Sequence, residues 1–401
     1  MNHPLYRPGL CSRRRFIETT TAFALAGTMP FVLRSPAVTK EGKFRAAIIG
    51  HTGAGNYGHG LDLIFAGRTN IEVVAIADAD ADGRANAAAR TGASRQYADY
   101  REMLAKEKPD LASVAPRWTD QHHAIALAAL RSGAHVFSEK PFTRTLAEAD
   151  ELLDAAKKAG LKIAVAHQMR LSPSILFLKR RLDEGLIGDL LEIRAHGKQD
   201  HRAGGEDLIV LGVHLFDLLR FFAGDALWCT ARILEKGQGA TLESARPATE
   251  GIGPVLGDDL FAQFAFGKGI HASFTSRRAN QQAAGPWGME IIGGKGAVRI
   301  LADICPRIFV RSHGDWRRAE WKPVEDDPTA SWSDAERGVQ RANARVLDDW
   351  LDAIQSDREP VCSGFAGMKA VELAHAVFAA GLSGQRVELP LANRVHPLVQ
   401  R

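Results

Sequence analysis

Residues 44–58 read FRAAIIGHTGAGNYG, and this stretch decides the fold class. Its first six residues have the length and apolar composition of a buried strand, which ends at Gly50. Gly53, Gly55 and Gly58 follow with the spacing GxGxxG. Glycines in such a turn let the backbone approach a pyrophosphate, and a helix that begins there directs free N–H groups at the anion. The stretch therefore predicts a strand, a glycine-rich turn and a helix, with a phosphate-bearing ligand at the turn.

An acidic residue follows the next apolar run. Ile71–Ala77 (IEVVAIA) predicts a second strand, and Asp78 stands directly after it, twenty residues beyond Gly58. A carboxylate at this point accepts hydrogen bonds from the adenosine ribose hydroxyls and repels a 2′-phosphate. The motif and Asp78 together predict NAD as the cofactor and disfavour NADP. The alternative is a glycine-rich turn without a ligand, in which Asp78 caps the next helix; the order of strand, turn, strand and acid favours the nucleotide site.

Short apolar runs continue to about residue 167. Three of them predict further strands, with helical periodicity between them: Leu111–Ala115, Ala134–Phe137 and Ile163–Ala166. Continuous apolar strands that alternate with helices are typical of a doubly wound parallel sheet covered on both faces. The fold class predicted for residues 43–167 is therefore an α/β Rossmann domain.

Antiparallel patterns replace this alternation after residue 168. Alternating runs flank glycine-bearing loops in three places and predict hairpins: Leu260–Phe266 with Ile270–Thr275, Met289–Ile292 with Ala297–Leu301, and Arg307–Arg311 with Trp316–Trp321. Ile209–Ala223 predicts a single strongly apolar, buried helix. Residues 168–401 are thus predicted to form an α+β domain on an antiparallel sheet, and a length of 401 residues suits two domains.

The excess positive charge lies at the N-terminus. Five arginines against Glu18 in residues 1–37 account for the whole formal net charge of +4, so the rest of the chain is formally neutral and gives no basis for a nucleic-acid partner. The run Ser12–Ile17 (SRRRFI), a weakly apolar stretch to Leu33 and the small residues after it predict a twin-arginine export signal and an extracytoplasmic or periplasmic location. A basic tail or an uncleaved anchor is the alternative, although the stretch is too polar to predict a stable membrane span.

Two ionisable groups are the catalytic candidates. Lys140, in Glu139-Lys140-Pro141, closes a strand at the sheet edge where ligands bind, and burial can lower the pKa of a lysine toward the range used in proton transfer. His214, Asp217 and Arg220 form one polar stripe on the apolar helix. An imidazole suits proton transfer from an alcohol. The alternative is a core histidine beside a self-satisfied Asp217–Arg220 pair.

Loops at the same sheet edge supply candidate substrate contacts. These are Arg117 and Trp118 after the third predicted strand, Arg170 after the fifth, and His201 in the polar loop 196–207; Asp217 joins them from the apolar helix. An ordinary solvated loop is the alternative for each. The histidines in this part of the chain fit no compact metal-ligand spacing, so no metal site is predicted.

Motifs in a fixed order resemble those of one enzyme family. Gly53-x-Gly55-x-x-Gly58, the Lys140 triplet and Gly212–Asp217 (GVHLFD), followed by Arg386–Pro390 (RVELP), are similar to the glucose–fructose oxidoreductase, inositol dehydrogenase and rhizopine-catabolism (Gfo/Idh/MocA) family over residues 43–392. The resemblance implies hydride transfer between a nicotinamide and a sugar or polyol. It also implies a Rossmann domain followed by an open-faced antiparallel sheet domain, and a homo-oligomer.

Individual residues are assigned by the same resemblance. Lys140 and His214 match the family's reaction-site residues, and His122 matches the histidine that opens the helix after the third strand. Gly50, Pro116 and Glu139 are expected at the cofactor. The chain departs from the family at residue 117, where many relatives carry asparagine, and at Val210, where they often carry an aspartate; Glu206 or Asp207 is then a substitute for that carboxylate.

The predicted export sharpens the predicted function. Free NAD is scarce outside the cytoplasm, so the favoured hypothesis is an NAD-dependent oxidoreductase that acts on a small sugar, polyol or glycoside and recycles a tightly bound cofactor. One alternative is a redox-cycling glycoside hydrolase that oxidises a ring hydroxyl, eliminates the aglycone, adds water and reduces the product. Another is a non-catalytic sugar- or nucleotide-binding protein. Val210 keeps that last alternative open, whereas Lys140 and His214 argue against it.

Overall fold

The structure is a computed structural model, and it describes residues 42–278, 287–312 and 320–399. The arginine-rich segment 1–37 and the first part of the predicted strand Trp316–Trp321 lie outside these described residues. Within the described ranges two large sheets organise the chain, one in each half.

The first sheet is parallel throughout its described strands. These are β1 (Phe44–Ile49), β2 (Ile71–Ala77), β3 (Arg95–Tyr97), β4 (Leu111–Val114), β5 (His135–Ser138) and β6 (Ile163–Val165). Their spatial order is β3-β2-β1-β4-β5-β6, with every neighbouring pair parallel. The order reverses between β1 and β4, and ligands of such sheets bind at the carboxyl edge beside that reversal. The predicted Rossmann class is confirmed.

Helices between these strands begin at residues that cap them. They are α1 (Ala81–Thr91), α2 (Tyr100–Glu107), α3 (His122–Arg131) and α4 (Leu146–Ala159). The Asp80 side chain accepts a hydrogen bond from the N–H of Gly83, and Thr145 and Glu148 form a reciprocal capping box at α4. Such caps satisfy N–H groups that a helix start otherwise leaves without partners.

The segment after the glycine motif does not form the predicted helix. Residues 52–67 form consecutive turns, with short-range bonds such as that from the N–H of Gly58 to the carbonyl of Gly55 (3.0 Å). Gly58 and Gly60 adopt φ angles of +58° and +78°, in the left-handed region. Two such residues in one turn interrupt a right-handed helix where it would begin. The helix prediction was therefore wrong, while β1 and β2 begin and end where the apolar runs do.

The second sheet is mostly antiparallel. Its strands are β7 (Leu190–His196), β8 (Ala226–Glu235), β9 (Gln238–Gly239), β12 (Asp259–Phe266), β13 (His271–Arg277), β14 (Gly288–Gly293), β15 (Gly296–Leu301), β16 (Arg307–Ser312), β17 (Lys322–Pro323) and β18 (Val387–Glu388), while β10 (Arg246–Pro247) and β11 (Pro254–Val255) pair apart from it. The order is β17-β16-β15-β14-β7-β13-β12-β8-β18, with β9 beside β8 and a parallel pair at β7 and β13.

Predicted hairpins are found in this sheet. β12 pairs with β13 and β14 with β15, both antiparallel, which confirms the first two hairpins. β16 follows its predicted run and pairs with β17 at Lys322–Pro323. The strand predicted opposite it, Trp316–Trp321, falls mainly outside the described residues. The predicted class of the second half, α+β on an antiparallel sheet, is confirmed.

The helices of the second half correct one prediction, that of a single helix over Ile209–Ala223. They are α5 (Pro173–Asp183), α6 (Gly205–Val210), α7 (Gly212–Ala223), α8 (Asp334–Arg337), α9 (Val339–Gln355) and α10 (Gly364–Ser383). The single helix predicted over Ile209–Ala223 is instead divided at Leu211. Both helices contact β13, but through different residues. The Ser276 hydroxyl donates to Asp207 of α6 (2.6 Å), and Phe216 of α7 packs against Phe274. These anchors fix the two helices separately.

The last two helices cover both halves of the described chain. α9 lies on the outer face of the first sheet, where Trp350 contacts Phe137 edge to face with centroids 5.7 Å apart. α10 packs against β8, α7 and α4. Although α10 is long and apolar enough to cross a membrane, it is mostly buried inside the protein, as expected of a core helix.

Candidate active site

The carboxyl edge of the first sheet gathers the candidate reaction residues. Glu139 and Lys140 follow β5, His167 follows β6, and α7 brings His214 to the same place. The rings of His167 and His214 meet edge to face, with centroids 5.5 Å apart. All four side chains are buried. The structure thus brings the two predicted catalytic residues, Lys140 and His214, into one cluster contributed by both halves of the chain.

Lys140 is a buried amine that faces the end of α6. Its Nζ donates to the backbone carbonyl of Val210 at 3.2 Å, one turn before His214. Burial lowers the pKa of Lys140, while nearby charges of both signs act on it in opposite directions. A lowered pKa increases the neutral fraction of the amine, which is the form that accepts a proton. At Val210, where the family resemblance led us to expect an aspartate, this chain offers a main-chain acceptor.

Glu139 anchors the glycine turn. Its carboxylate accepts hydrogen bonds from the backbone N–H of His59 (2.7 Å) and of Lys140 (2.8 Å), and lies 2.6 Å from Nδ1 of the His59 ring. Burial acts to raise the pKa of Glu139, but the His59 ring, its N–H group and Lys140 outweigh burial and lower that pKa to about 2. Glu139 is therefore a fixed anion that ties the turn to Lys140. Its predicted contact with a cofactor stays a prediction.

His122 joins the ends of β4 and β5. Its ring is fully buried, with Nε2 2.7 Å from the Pro116 carbonyl oxygen and Nδ1 2.8 Å from the Pro141 carbonyl oxygen. These contacts hold the backbone on both sides of the crevice, including the residue after Lys140. The His122 side chain, which was predicted to contact the cofactor, thus holds the two loops that follow β4 and β5 in position.

A cavity of about 260 Å³ lies at the carboxyl ends of β1 and β2. It is lined mainly by Gly50, His51, Asp78, Ala79, Asp99, Tyr100, Arg101 and Gln121. The Asp78 carboxylate accepts hydrogen bonds from the N–H (2.9 Å) and hydroxyl (2.7 Å) of Thr52 and from the N–H of Asp80 (3.0 Å). A carboxylate has about four acceptor positions, so Asp78 retains capacity for a further donor such as a ribose hydroxyl.

The glycine turn has one open and one closed side. A Cβ added at Gly53 would meet nothing within 4 Å, so the backbone is open to a ligand at that point. Gly55 lies against the backbone of Arg117, and Gly58 lies against Glu139. Together with the cavity at Asp78, this open backbone fits the adenosine half of a dinucleotide.

A carboxylate from the second half closes over the Rossmann loops. Glu250 lies 2.5 Å from Nη2 of Arg117 and 3.6 Å from Nη1 of Arg202, and its backbone carbonyl accepts from the N–H of Thr119 at 2.9 Å. The predicted contact Arg117 is therefore held across the mouth of the site. Trp118 beside it is 39% exposed and available to a ligand.

Arg170 and Asp217 satisfy each other. The Arg170 guanidinium donates to both carboxylate oxygens of Asp217 (2.6 and 2.8 Å) and to its backbone carbonyl (2.8 Å). The pair is buried and joins the end of β6 to α7, whereas Arg220 pairs with Asp225 near the surface. The expected alternative, an Asp217–Arg220 pair, is thus wrong. The geometry gives Arg170 and Asp217 a structural role, and it offers no support for substrate contact.

The remaining polar candidates have partners other than Lys140 among the described residues. The side chain of His201 is 78% exposed and sits 3.8 Å from Asp200, which places it in solvent. Asp207 is buried and accepts from Ser276 and from the N–H groups of Lys198 and Gln199. These bonds fix the loop 196–207. Of the two residues predicted to substitute for a carboxylate at position 210, Asp207 is thus engaged by these bonds, and Glu206 accepts a hydrogen bond from Thr249.

Sequence reasoning missed His167 and Trp287 as site residues. The rings of Trp287 and His214 lie 6.1 Å apart, so Trp287 joins the histidine pair from the start of β14. His167 follows β6, at the sheet edge that was searched for ligand-binding residues, and that position was the available indication. No local pattern marks Trp287, because the fold of the second sheet alone brings it there.

Comparison with known proteins covers most of the chain. Residues 44–167 match the model of an oxidoreductase family with an NAD-binding Rossmann fold, and residues 179–389 match the model of the C-terminal alpha/beta domain of an oxidoreductase family.

Curated relatives and solved structures agree with this match. A D-apiose dehydrogenase of Paraburkholderia graminis is 26% identical over 339 residues, which are 82% of this chain and 86% of that protein. A levoglucosan dehydrogenase of Pseudarthrobacter phenanthrenivorans is 28% identical over 228 residues, 51% of this chain and 58% of that protein. A structure of levoglucosan dehydrogenase in complex with NADH and L-sorbose shares the fold, with a TM-score of 0.71 at 21% identity over 87% of this chain and 99% of that one.

Proposed function

Because this chain belongs to the Gfo/Idh/MocA oxidoreductase family, we propose that it oxidises a hydroxyl group of a small carbohydrate with NAD as the hydride acceptor. The observation that carries this proposal is the buried Lys140 amine beside His214, at the carboxyl edge of the Rossmann sheet. The D-apiose and levoglucosan dehydrogenases among the relatives support a sugar as the substrate class.

The proposed chemistry divides between the cofactor and the chain. Bound NAD would supply the hydride acceptor. Oxidation of an alcohol also releases a proton, and the neutral amine of Lys140 accepts it from the substrate hydroxyl. The bond from Nζ to Val210 fixes the direction of the amine. Burial lowers the pKa of His214 well below the usual value, so the ring is a neutral imidazole that can hydrogen-bond to the same hydroxyl.

NAD rather than NADP is the proposed cofactor. Asp78 and Asp99 both line the nucleotide cavity, and two carboxylates disfavour a 2′-phosphate there, although Arg101 lines it as well. Titration of the protein with NADH and NADPH, followed by fluorescence, tests this choice. Equal affinity for the two nucleotides would contradict it.

We also propose that the protein is exported by the twin-arginine route with its cofactor retained. The support is the SRRRFI run within residues 1–37, which carry the whole net charge. Replacement of Arg13 and Arg14 by lysine should keep the protein in the cytoplasm, as measured by cell fractionation. NAD(H) released on denaturation of purified protein would support retention; a protein purified free of nucleotide would contradict it.

The test of the oxidoreductase proposal is Lys140→Met. We expect kcat to fall by about 10²- to 10⁴-fold, the usual contribution of a general base, while NADH affinity is unchanged. Lys162→Met is the matched control, because Lys162 stands at the opposite end of β6 and lies 3.0 Å from Asp357. An active Lys140→Met variant would refute the role of Lys140.

One assay separates the proposed dehydrogenase from the alternatives. Holoenzyme is incubated with neutral sugars and nitrophenyl glycosides while NADH absorbance and aglycone release are followed together. Reduction of the bound NAD by a sugar, by up to one equivalent of NADH per site, supports the proposal. Aglycone release without net NADH would replace it with the redox-cycling hydrolase, and nucleotide binding without any turnover would leave a binding protein.

A further inference from the structure

Four of the buried nitrogen atoms that have no hydrogen-bond partner among the described residues lie together at the reaction site. Nδ1 and Nε2 of His167, Nδ1 of His214 and Nε1 of Trp287 are buried and have no hydrogen-bond partner within the described residues. The three rings come from three separate elements and contact one another in sequence, with centroid distances of 5.5 and 6.1 Å. Native proteins rarely leave buried polar atoms unsatisfied, so such a cluster indicates a place where a ligand completes the bonding.

The types of nitrogen at this cluster define the ligand. An indole N–H only donates, whereas a neutral imidazole has one donor and one acceptor nitrogen. Burial lowers the pKa of both His167 and His214, which keeps both rings neutral near pH 7. The cluster therefore presents donors and at least one acceptor side by side. A carboxylate or phosphate satisfies only donors and an ammonium group satisfies only acceptors, but a hydroxyl group satisfies both.

We propose that His167 and Trp287 are substrate-binding residues which, together with His214, hold neighbouring hydroxyl groups of an uncharged sugar ring. This inference rests on the oxidoreductase function proposed above and narrows its substrate class to neutral sugars, to the exclusion of sugar acids. The Trp287 N–H donates to a substrate hydroxyl whose own proton is donated to an imidazole nitrogen. The indole face adds an apolar surface that suits the C–H face of a sugar ring.

The site also explains how the chain manages without an aspartate at position 210. The titratable groups that act most strongly on the pKa of His214 are Lys140, His167 and His59, and none of these is a carboxylate. His167 is fixed because its backbone follows β6, and its own carbonyl accepts a weak hydrogen bond from the Cys362 thiol at 3.4 Å. In this proposal the substrate hydroxyls therefore meet two neutral imidazoles, and no carboxylate paired with an imidazole is required.

The test uses two variants that remove the nitrogens and keep an aromatic ring. In Trp287→Phe the donor is lost, and we expect the KM for the best neutral sugar to rise about tenfold with kcat nearly unchanged, the effect of one lost hydrogen bond. His167→Phe should lower kcat/KM by about 100-fold, since it removes two bonding positions. His396→Phe is the control, because His396 is another buried histidine with an unpartnered Nε2, beside His375 and away from the site.

Direct binding keeps this inference separable from the proposed function. Calorimetric titration of the NADH-loaded protein should show that neutral sugars bind and that the corresponding uronic acids do not. Both variants should have a lower affinity for the neutral sugar, while their thermal melting temperature and their NADH affinity stay as in the wild type. If no sugar is oxidised but this binding pattern holds, the oxidoreductase proposal fails and the binding site stands. Wild-type KM in Trp287→Phe, or equal binding of a uronic acid, would overturn the inference. If both variants unfold, Trp287→Met and His167→Met, which also lack the hydrogen-bonding nitrogens, replace them, and wild-type affinity in these would overturn it equally.

Discussion

Substitution of Gly58 by alanine should damage the protein far more than substitution of Gly53. Both glycines have positive φ angles, +58° and +86°, so an alanine at either position carries a backbone cost of about 1–2 kcal/mol. The space around them differs. A Cβ at Gly58 would lie 2.5 Å from a carboxylate oxygen of Glu139 and 2.7 Å from the Ala115 carbonyl, whereas a Cβ at Gly53 meets nothing within 4 Å.

The difference between the variants follows from what Glu139 would lose. To make room, its carboxylate must leave the N–H groups of His59 and Lys140, at 2.7 and 2.8 Å. Hydrogen bonds to a charged group contribute about 1.5–3 kcal/mol each, so Gly58→Ala should be about 3–6 kcal/mol less stable than Gly53→Ala. It should also lose activity, because the same bonds position Lys140.

Urea unfolding followed by tryptophan fluorescence measures this difference, and NADH-linked activity is assayed in parallel. Gly53→Ala serves as the control for backbone strain. Equal unfolding midpoints for the two variants would refute the argument from close packing. An inactive but stable Gly58→Ala protein would show that this glycine serves the cofactor directly.

Three further outcomes are expected. Burial lowers the pKa of His135 and of His396 from 6.5 to about 4, so the unfolded chain binds more protons than the folded one between these values. Stability, complete above pH 6.5, should therefore fall toward pH 4 by up to about 3 kcal/mol for each histidine, as measured by urea midpoints; a midpoint independent of pH would contradict this. Asp217→Asn should cost about 3–5 kcal/mol in urea unfolding because it leaves a buried guanidinium uncompensated, and a loss below 1 kcal/mol would show that the pair is dispensable. Glu250 acts to raise the pKa of Lys140, so Glu250→Gln should move the acid limb of the kcat/KM pH profile to lower pH; a shift to higher pH would contradict the assignment of Lys140 as the base.

Local patterns predicted most of the fold. Buried parallel strands are continuous apolar runs, and β2 ends at Ala77 with Asp78 after it, as the sequence indicates. The helix expected after the glycine motif failed because the pattern does not distinguish a glycine that starts a helix from one that holds a left-handed conformation. Gly58 and Gly60 are of the second kind.

The candidate site was only half predictable. Lys140 and His214 stand in motifs that can be recognised along the chain, whereas His167 and Trp287 carry no local mark. Arg170 was predicted as a substrate contact because it follows a strand at the sheet edge, and Asp217 because it is a charged residue on an apolar helix. Their pairing across 47 residues could be recognised only in the folded protein. A charged residue in a buried segment therefore indicated that the position matters. Only its hydrogen-bond partner in the folded protein showed whether the residue has a structural or a chemical role.

The position of α9 has a consequence for how the chain acquires its fold during synthesis. Trp350 packs on Phe137, its indole N–H donates to the Lys162 carbonyl, and Asn343 donates to the His59 carbonyl. The part of the nucleotide-binding sheet around Phe137 therefore stays uncovered until residues beyond 350 have left the ribosome, about ten to forty seconds after β6 at ordinary elongation rates. A fragment that ends at residue 167 would expose the apolar face containing Phe137, and an excised nucleotide-binding domain must carry α9 with it.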